Sequence, residues 1–178
     1  MAITASDIKW KFSVSAGSGN SSSGAAATSL GGQISTTEIT DATLHNLFDV
    51  ITGDENAASD VEYRCIFVHN NHGSLTWENV VVWISAETAG GANTAISVDT
   101  TGVTPVGSAS PQAKTAADES TAPSGQTFTS PTTKGTGLSI GDIPAGSCAA
   151  IWLRRTATNS AALDNDSVTI RAEGDTAA

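Results

Sequence analysis

Between Trp77 and Ser85 the chain reads WENVVVWIS, and no other stretch limits the fold as much. Successive side chains of an extended chain point to opposite faces. Val80, Val82 and Ile84 therefore share one face, and Trp77, Val81 and Trp83 share the other. Neither face suits water. DVEYRCIFVHN, residues 60 to 70, behaves similarly. Val61, Tyr63, Cys65 and Phe67 lie on one side, and the opposite side turns apolar halfway along at Ile66 and Val68. SCAAIWLRR is mixed in facing in the same way.

Other runs alternate more simply. DIKWKFSV puts Ile8, Trp10, Phe12 and Val14 on one face, with Lys9, Lys11 and Ser13 on a wet face. DSVTIRAEG places Val168, Ile170 and Ala172 inward and Ser167, Thr169, Arg171 and Glu173 outward. TAISVD and GLSIGDI are shorter strands, the latter ending in a Pro144–Gly146 turn. Six or seven strands separated by turns, with almost no helix, predict an all-β fold. The expected architecture is one antiparallel β-sandwich domain over residues 1–178, Ig-like or jelly-roll-like in pattern.

Three segments do not read as strands. Residues 16–32, AGSGNSSSGAAATSLGG, are small and polar with one leucine, Leu30, and predict a flexible N-terminal arm or loop. In residues 41–51 the spacing of Leu44, Leu47, Phe48 and Ile51 predicts a short helix, capped by Thr40 or Asp41. TGDENAASD then reads as an acidic loop. Residues 100–137 form a long Thr/Pro-rich loop with four of the five prolines, and Phe128 is its strongest anchor. A loop of that length serves a purpose or carries short strands.

Composition narrows the function. A chain of 178 residues with 39% hydrophobic residues is long enough to bury a core without staples. Eight Lys and Arg against a net charge of -10 argue against binding a phosphate backbone. No run approaches the length of a membrane span. The N-terminus has no apolar leader, which suggests synthesis in a cytoplasm.

VHNNHG, residues 68–73, invites a metal reading through His69 and His72. The preferred reading is a turn between strands, since only Glu78 is at hand as a third ligand. Cys65 and Cys148 sit inside apolar runs and read as core thiols, with a bridge open if their strands face each other. Asp164 and Asp166 are the best candidates for a calcium loop, but solvated acids are the simpler reading. There is no G-x-S-x-G, H-E-x-x-H, C-x-x-C or phosphate-cradling glycine loop. The chain is therefore read as non-enzymatic, without a cofactor.

Surface contact is the stronger expectation. The outer faces of a two-layer sandwich should be polar. Ile66, Val68 and Trp83 therefore pack under the arm or against a partner. Trp77 and Trp83 are the first suspects for a carbohydrate groove, and Leu30 for an arm contact.

Two resemblances add to this. V-x-N-x-x-G, L-x-x-E-N-V-V-V and I-P-A-G-S, at residues 68–73, 75–82 and 143–147, resemble immunoglobulin-like domains of bacterial surface proteins. SLGGQISTTEI, LFDVITGDENAASDVEYRCIFVHN, LSIGDIPAGSCAAIWLRR and NDSVTIRAEGDT resemble a group of small structural proteins of tailed-phage virions. That resemblance implies a virion component, a capsid decoration or cement protein, with a tail or baseplate position as the alternative. The implied partners are the major capsid protein and further copies of the chain, with neither nucleic acid nor membrane.

Overall fold

The computed structural model describes residues 2–176. Among them the strands are β1 (Ile8–Val14), β2 (Gln33–Glu38), β3 (Val61–Asn70), β4 (Trp77–Glu87), β5 (Asn93–Val98), β6 (Thr104–Pro105), β7 (Leu138–Ile143), β8 (Ser147–Thr156) and β9 (Val168–Thr176). They form two antiparallel sheets. The larger runs β2-β1-β3-β8-β5, with β6 also on β8, and the smaller runs β7-β4-β9. The architecture is a β-sandwich, as the alternating runs require.

Strands apolar on both faces need cover on both, and the chain supplies two apolar layers. Between the sheets lie Ile66 and Val68 from β3, Val80, Val82 and Ile84 from β4, Ile96 from β5, and Ile151 and Leu153 from β8. On the other face of the large sheet, Cys65, Phe67, Cys148, Ala150 and Trp152 pack with Ile34 and Ala113, flanked by Tyr63, Val106 and Phe128. Period two thus splits β3 and β8 between two cores.

Loops roof the second core. The segment 16–32, expected as a flexible arm or loop, is tied to the large sheet by hydrogen bonds. Ser29 Oγ donates to the Cys65 carbonyl at 2.5 Å and accepts from the Ser13 amide at 2.8 Å. The Cys65 amide donates to the Ser29 carbonyl at 2.7 Å. Having a single large apolar side chain does not free a segment when hydroxyls and backbone can satisfy a sheet edge. Gly31 sits at φ +91°, and a methyl group there would overlap the Lys114 carbonyl. Only glycine lets arm and long loop approach so closely.

The loop 100–137 carries β6 and lies over the same face. Gln112, fully buried, accepts from the Ile34 amide at 3.0 Å and donates to the Pro105 carbonyl at 2.8 Å. Asp99, just after β5, accepts from Trp152 Nε1 at 2.8 Å, the Lys114 amide at 2.9 Å and the Thr101 amide at 2.8 Å. Phe128 anchors as its sequence setting suggests, 5.4 Å from the Tyr63 ring. The expected wet face of β1 is dry along most of its length, with Lys11 and Ser13 both buried and Lys9 still reaching solvent beside Glu38.

The helix expected at residues 41–51 is not there. Ala42 and His45 adopt positive φ, which breaks a right-handed helix. Leu47 and Phe48 still pack onto the core, but from an irregular segment. The short helix α1 (Gly53–Ala58) lies instead in the acidic stretch. Thr52 and Glu55 cap it reciprocally, each side chain meeting the other's backbone N–H.

Candidate functional site

The five residues singled out for partner contact separate. Ile66, Val68, Trp77 and Trp83 are all buried in their own chain, so the expectation that they meet a partner is corrected for these four. Ile66 and Val68 face the smaller sheet. Trp77 joins the same core because a bulge at Asn79, φ +53°, shifts the phase of β4 and brings Trp77 onto the face of Val80. Trp83 stays on the outer face, where the Arg171 guanidinium stands 5.8 Å from its ring centre. The segment before β7 runs beside it, with the Pro131 carbonyl accepting from the Ile84 amide.

Leu30 is placed differently. Half-buried, it lines a cleft of about 510 Å³ with Ala26, Ala27, Leu47 and Ala117 as further apolar walls. His45, Asp49, Asp118 and Glu119 complete the lining, and Arg64 forms its floor. Arg64 is 1% exposed. Its Nη2 donates to Glu119 Oε2 at 2.5 Å and its Nη1 to the Tyr63 carbonyl at 3.0 Å, while Nε has no partner. Phe48 lies under two guanidiniums, 5.4 Å from Arg64 and 4.7 Å from Arg155. Arg155 in turn pairs with Glu62 and Asp49. Burial pushes the Glu62 carboxyl up against the opposing pull of Arg155. This network ties the irregular segment 41–51 to the end of the large sheet. Leu44 and Val50, at 65% and 56% exposure, belong to the same segment.

One pairing was invisible in the sequence. His69 on β3 and Cys148 on β8 are direct cross-strand neighbours, 79 positions apart. An activated thiol needs its proton drawn to the imidazole. Here both shifts run the other way. Burial raises the Cys148 thiol to about 11 and, with Lys11 nearby, lowers His69 to about 4. The pair is a neutral thiol beside a neutral imidazole under a roof of loop. Cys65, buried and free like Cys148, is raised by the same desolvation.

The other candidates have local roles. His72 Nδ1 accepts from the amides of Ser74 and Leu75, fixing the turn after β3, and does not share a site with His69. Asp166 accepts from the Ala92 amide at 2.7 Å, which fastens the loop before β9. No three His, Cys, Asp or Glu side chains gather to a metal-binding geometry among the described residues. No helix there is long and apolar enough to cross a membrane.

A second, smaller groove of about 320 Å³ opens where β9 borders β1. Ile3, Ile8, Trp10, Trp77 and Ala172 line it, together with Thr4 and Glu173. Comparison with known proteins gave no match to any family model, curated protein or solved structure.

Proposed function

We propose that this chain is a non-enzymatic structural component of a tailed-phage virion. Within that class it is read as a capsid decoration or cement protein, made in the host cytoplasm and placed on the capsid surface. Its partners are the major capsid protein and neighbouring copies of itself. The observation that carries the reading is the resemblance of four stretches, spread from Ser29 to Thr176, to such proteins. The chemistry of the surface supports it. A cleft walled by Leu30, Leu47 and alanines borders the segment that carries the solvent-facing Leu44 and Val50, which suits contact with another protein. The Cys148–His69 pair is poised against nucleophilic chemistry. Many such modest contacts, repeated over a shell, sum to a strong clamp.

The rival reading is a tail or baseplate protein that binds carbohydrate. It loses its two suspects, since Trp77 and Trp83 are each only 6% exposed. The deciding experiment mixes purified protein with undecorated tailed-phage capsids, isolated tails and host cells. Cosedimentation with capsids and a raised capsid melting temperature are expected, with Leu44→Glu plus Val50→Glu weakening both. Retention on tails or cells alone would sink the decoration role.

A further inference from the structure

Every strand at the edge of a sheet presents unpaired backbone groups, and proteins normally cover or break such edges. This chain does so almost everywhere. On β2, the Ile34 carbonyl accepts from Asn20 and the Thr36 amide donates to Ser22. On β5, Ile96 exchanges both backbone bonds with Thr129. The half of β3 that β1 does not reach is met by Ser29 and Glu119. The edge of β7 is interrupted by Gly141, at φ +86°, where its register against β4 slips.

β9 is the exception. Among the described residues it pairs with β4 alone, and its far edge takes part in no backbone hydrogen bond. It runs nine residues without proline. The irregularities of that pair fall on β4, which spends three residues from Glu78 to Val81 while β9 spends two, so β9 stays regular. At the end of β9 the Ile3 amide donates to the Thr176 hydroxyl at 3.3 Å. Beneath the open edge of β9 lies the groove lined by Ile3, Ile8, Trp10, Trp77 and Ala172 with Thr4 and Glu173. That is where the inward side chains of one more strand would go.

We infer that the open edge of β9 receives an extended segment of another protein as a fourth strand of the smaller sheet. The segment carries apolar residues at alternate positions, to fill the groove, and Lys or Arg between them. The second requirement comes from charge. On the outer face an added strand runs beside Glu173 and Asp175, and the whole chain carries -10. Glu173 is already met by Arg171 at 2.7 Å and by Lys134 at 3.5 Å, which leaves Asp175 as the carboxylate of this edge that no cation meets among the described residues. A second copy of this chain would bring the same excess of negative charge to the edge and is disfavoured. The main-chain ladder would supply affinity and the alternate side chains specificity. This deepens the reading above and rests on it only in taking the partner to be a protein.

The test uses the full chain and a nine-residue peptide alternating valine with lysine, at about 0.15 M salt. A second peptide replaces alternate lysines by proline, which keeps the apolar face but breaks the ladder. Amide exchange is read residue by residue. Alternate β9 amides should exchange quickly in the free protein and slow by at least about tenfold with the first peptide only. The indole signals of Trp10 and Trp77 should shift with them. Equal effects of both peptides, or protection at another edge, would overturn the inference. So would β9 amides already protected in the free protein, whether it sediments as a monomer or as a dimer. Retention on capsids is a separate readout, so either proposal can fail while the other stands.

Discussion

His69 gives the residue-scale case of a side chain whose surroundings were hidden in the sequence. As part of VHNNHG it reads as a turn residue near solvent, yet it lies within β3, 4% exposed, with Nδ1 unpartnered. Folding depresses its pKa from 6.5 to about 4. The unfolded chain therefore binds the extra proton between those values, and stability must fall as pH drops through that window. That difference in pKa corresponds to roughly 3 kcal/mol once pH has fallen through the whole window. His69→Gln should remove that slope. Urea unfolding at pH 7 and pH 4.5 checks it, comparing each protein with itself. Glu62, raised by burial, acts in the opposite sense and cancels between the two proteins. An unchanged pH dependence in His69→Gln would mean that the imidazole is not what titrates.

At the scale of elements, the loop 100–137 works as a structural layer. Its cohesion comes from a few buried polar side chains, not from a hydrophobic periodicity. Asp99 collects Trp152 Nε1 and the amides of Thr101 and Lys114, with Gln126 Nε2 farther off at 3.4 Å. Asp99→Ala strands several of these donors without an acceptor, at a cost of about 3 kcal/mol. The expected result is a lower urea midpoint together with lost exchange protection at Lys114. A destabilisation under about 1 kcal/mol would show that the loop is held elsewhere. The 41–51 segment gives the complementary lesson. Leu44, Leu47, Phe48 and Ile51 have helical spacing, but the anchoring partners of Phe48 are Arg64 and Arg155 on the sheet. Those contacts are made from a bent backbone, and tertiary contacts override a weak local preference.

The whole molecule is a sandwich with a third layer of loop, and its two cores need not open together. Cys65 and Cys148 report on the outer one. Both are fully buried, and burial raises both thiols, so reagents reach them only when the loop roof lifts. Because Ser29, Gln112 and Asp99 tie that roof to β3, β2 and β8, we expect labelling of both thiols at the rate of global unfolding. Stopped-flow labelling against tryptophan fluorescence checks this. Labelling much faster than the fluorescence change would reveal a roof that opens alone. The Leu30 cleft and the β9 edge lie at the margin of the inter-sheet core, onto which Leu47 packs and to which Trp77 belongs.

The sequence by itself determined the strands, the sandwich and the need for cover on both faces of β3 and β4. Period-two alternation is local, and it can be read residue by residue. It also marked Leu30, the one large apolar side chain of its segment, which does line a cleft. It could not say which face of β3 the smaller sheet would take and which the loops, nor that the segment before β7 runs beside Trp83, so Ile66, Val68 and Trp83 looked free for the arm or a partner. That answer depends on pairings between distant positions: Ser29 with Cys65, Gln112 with Ile34, Asp99 with Trp152. A single bulge at Asn79 moved Trp77 to the other face, because one inserted residue inverts every facing beyond it. Only the tertiary structure decided which edges are closed, since a strand carries no mark of its neighbours. It left β9 open.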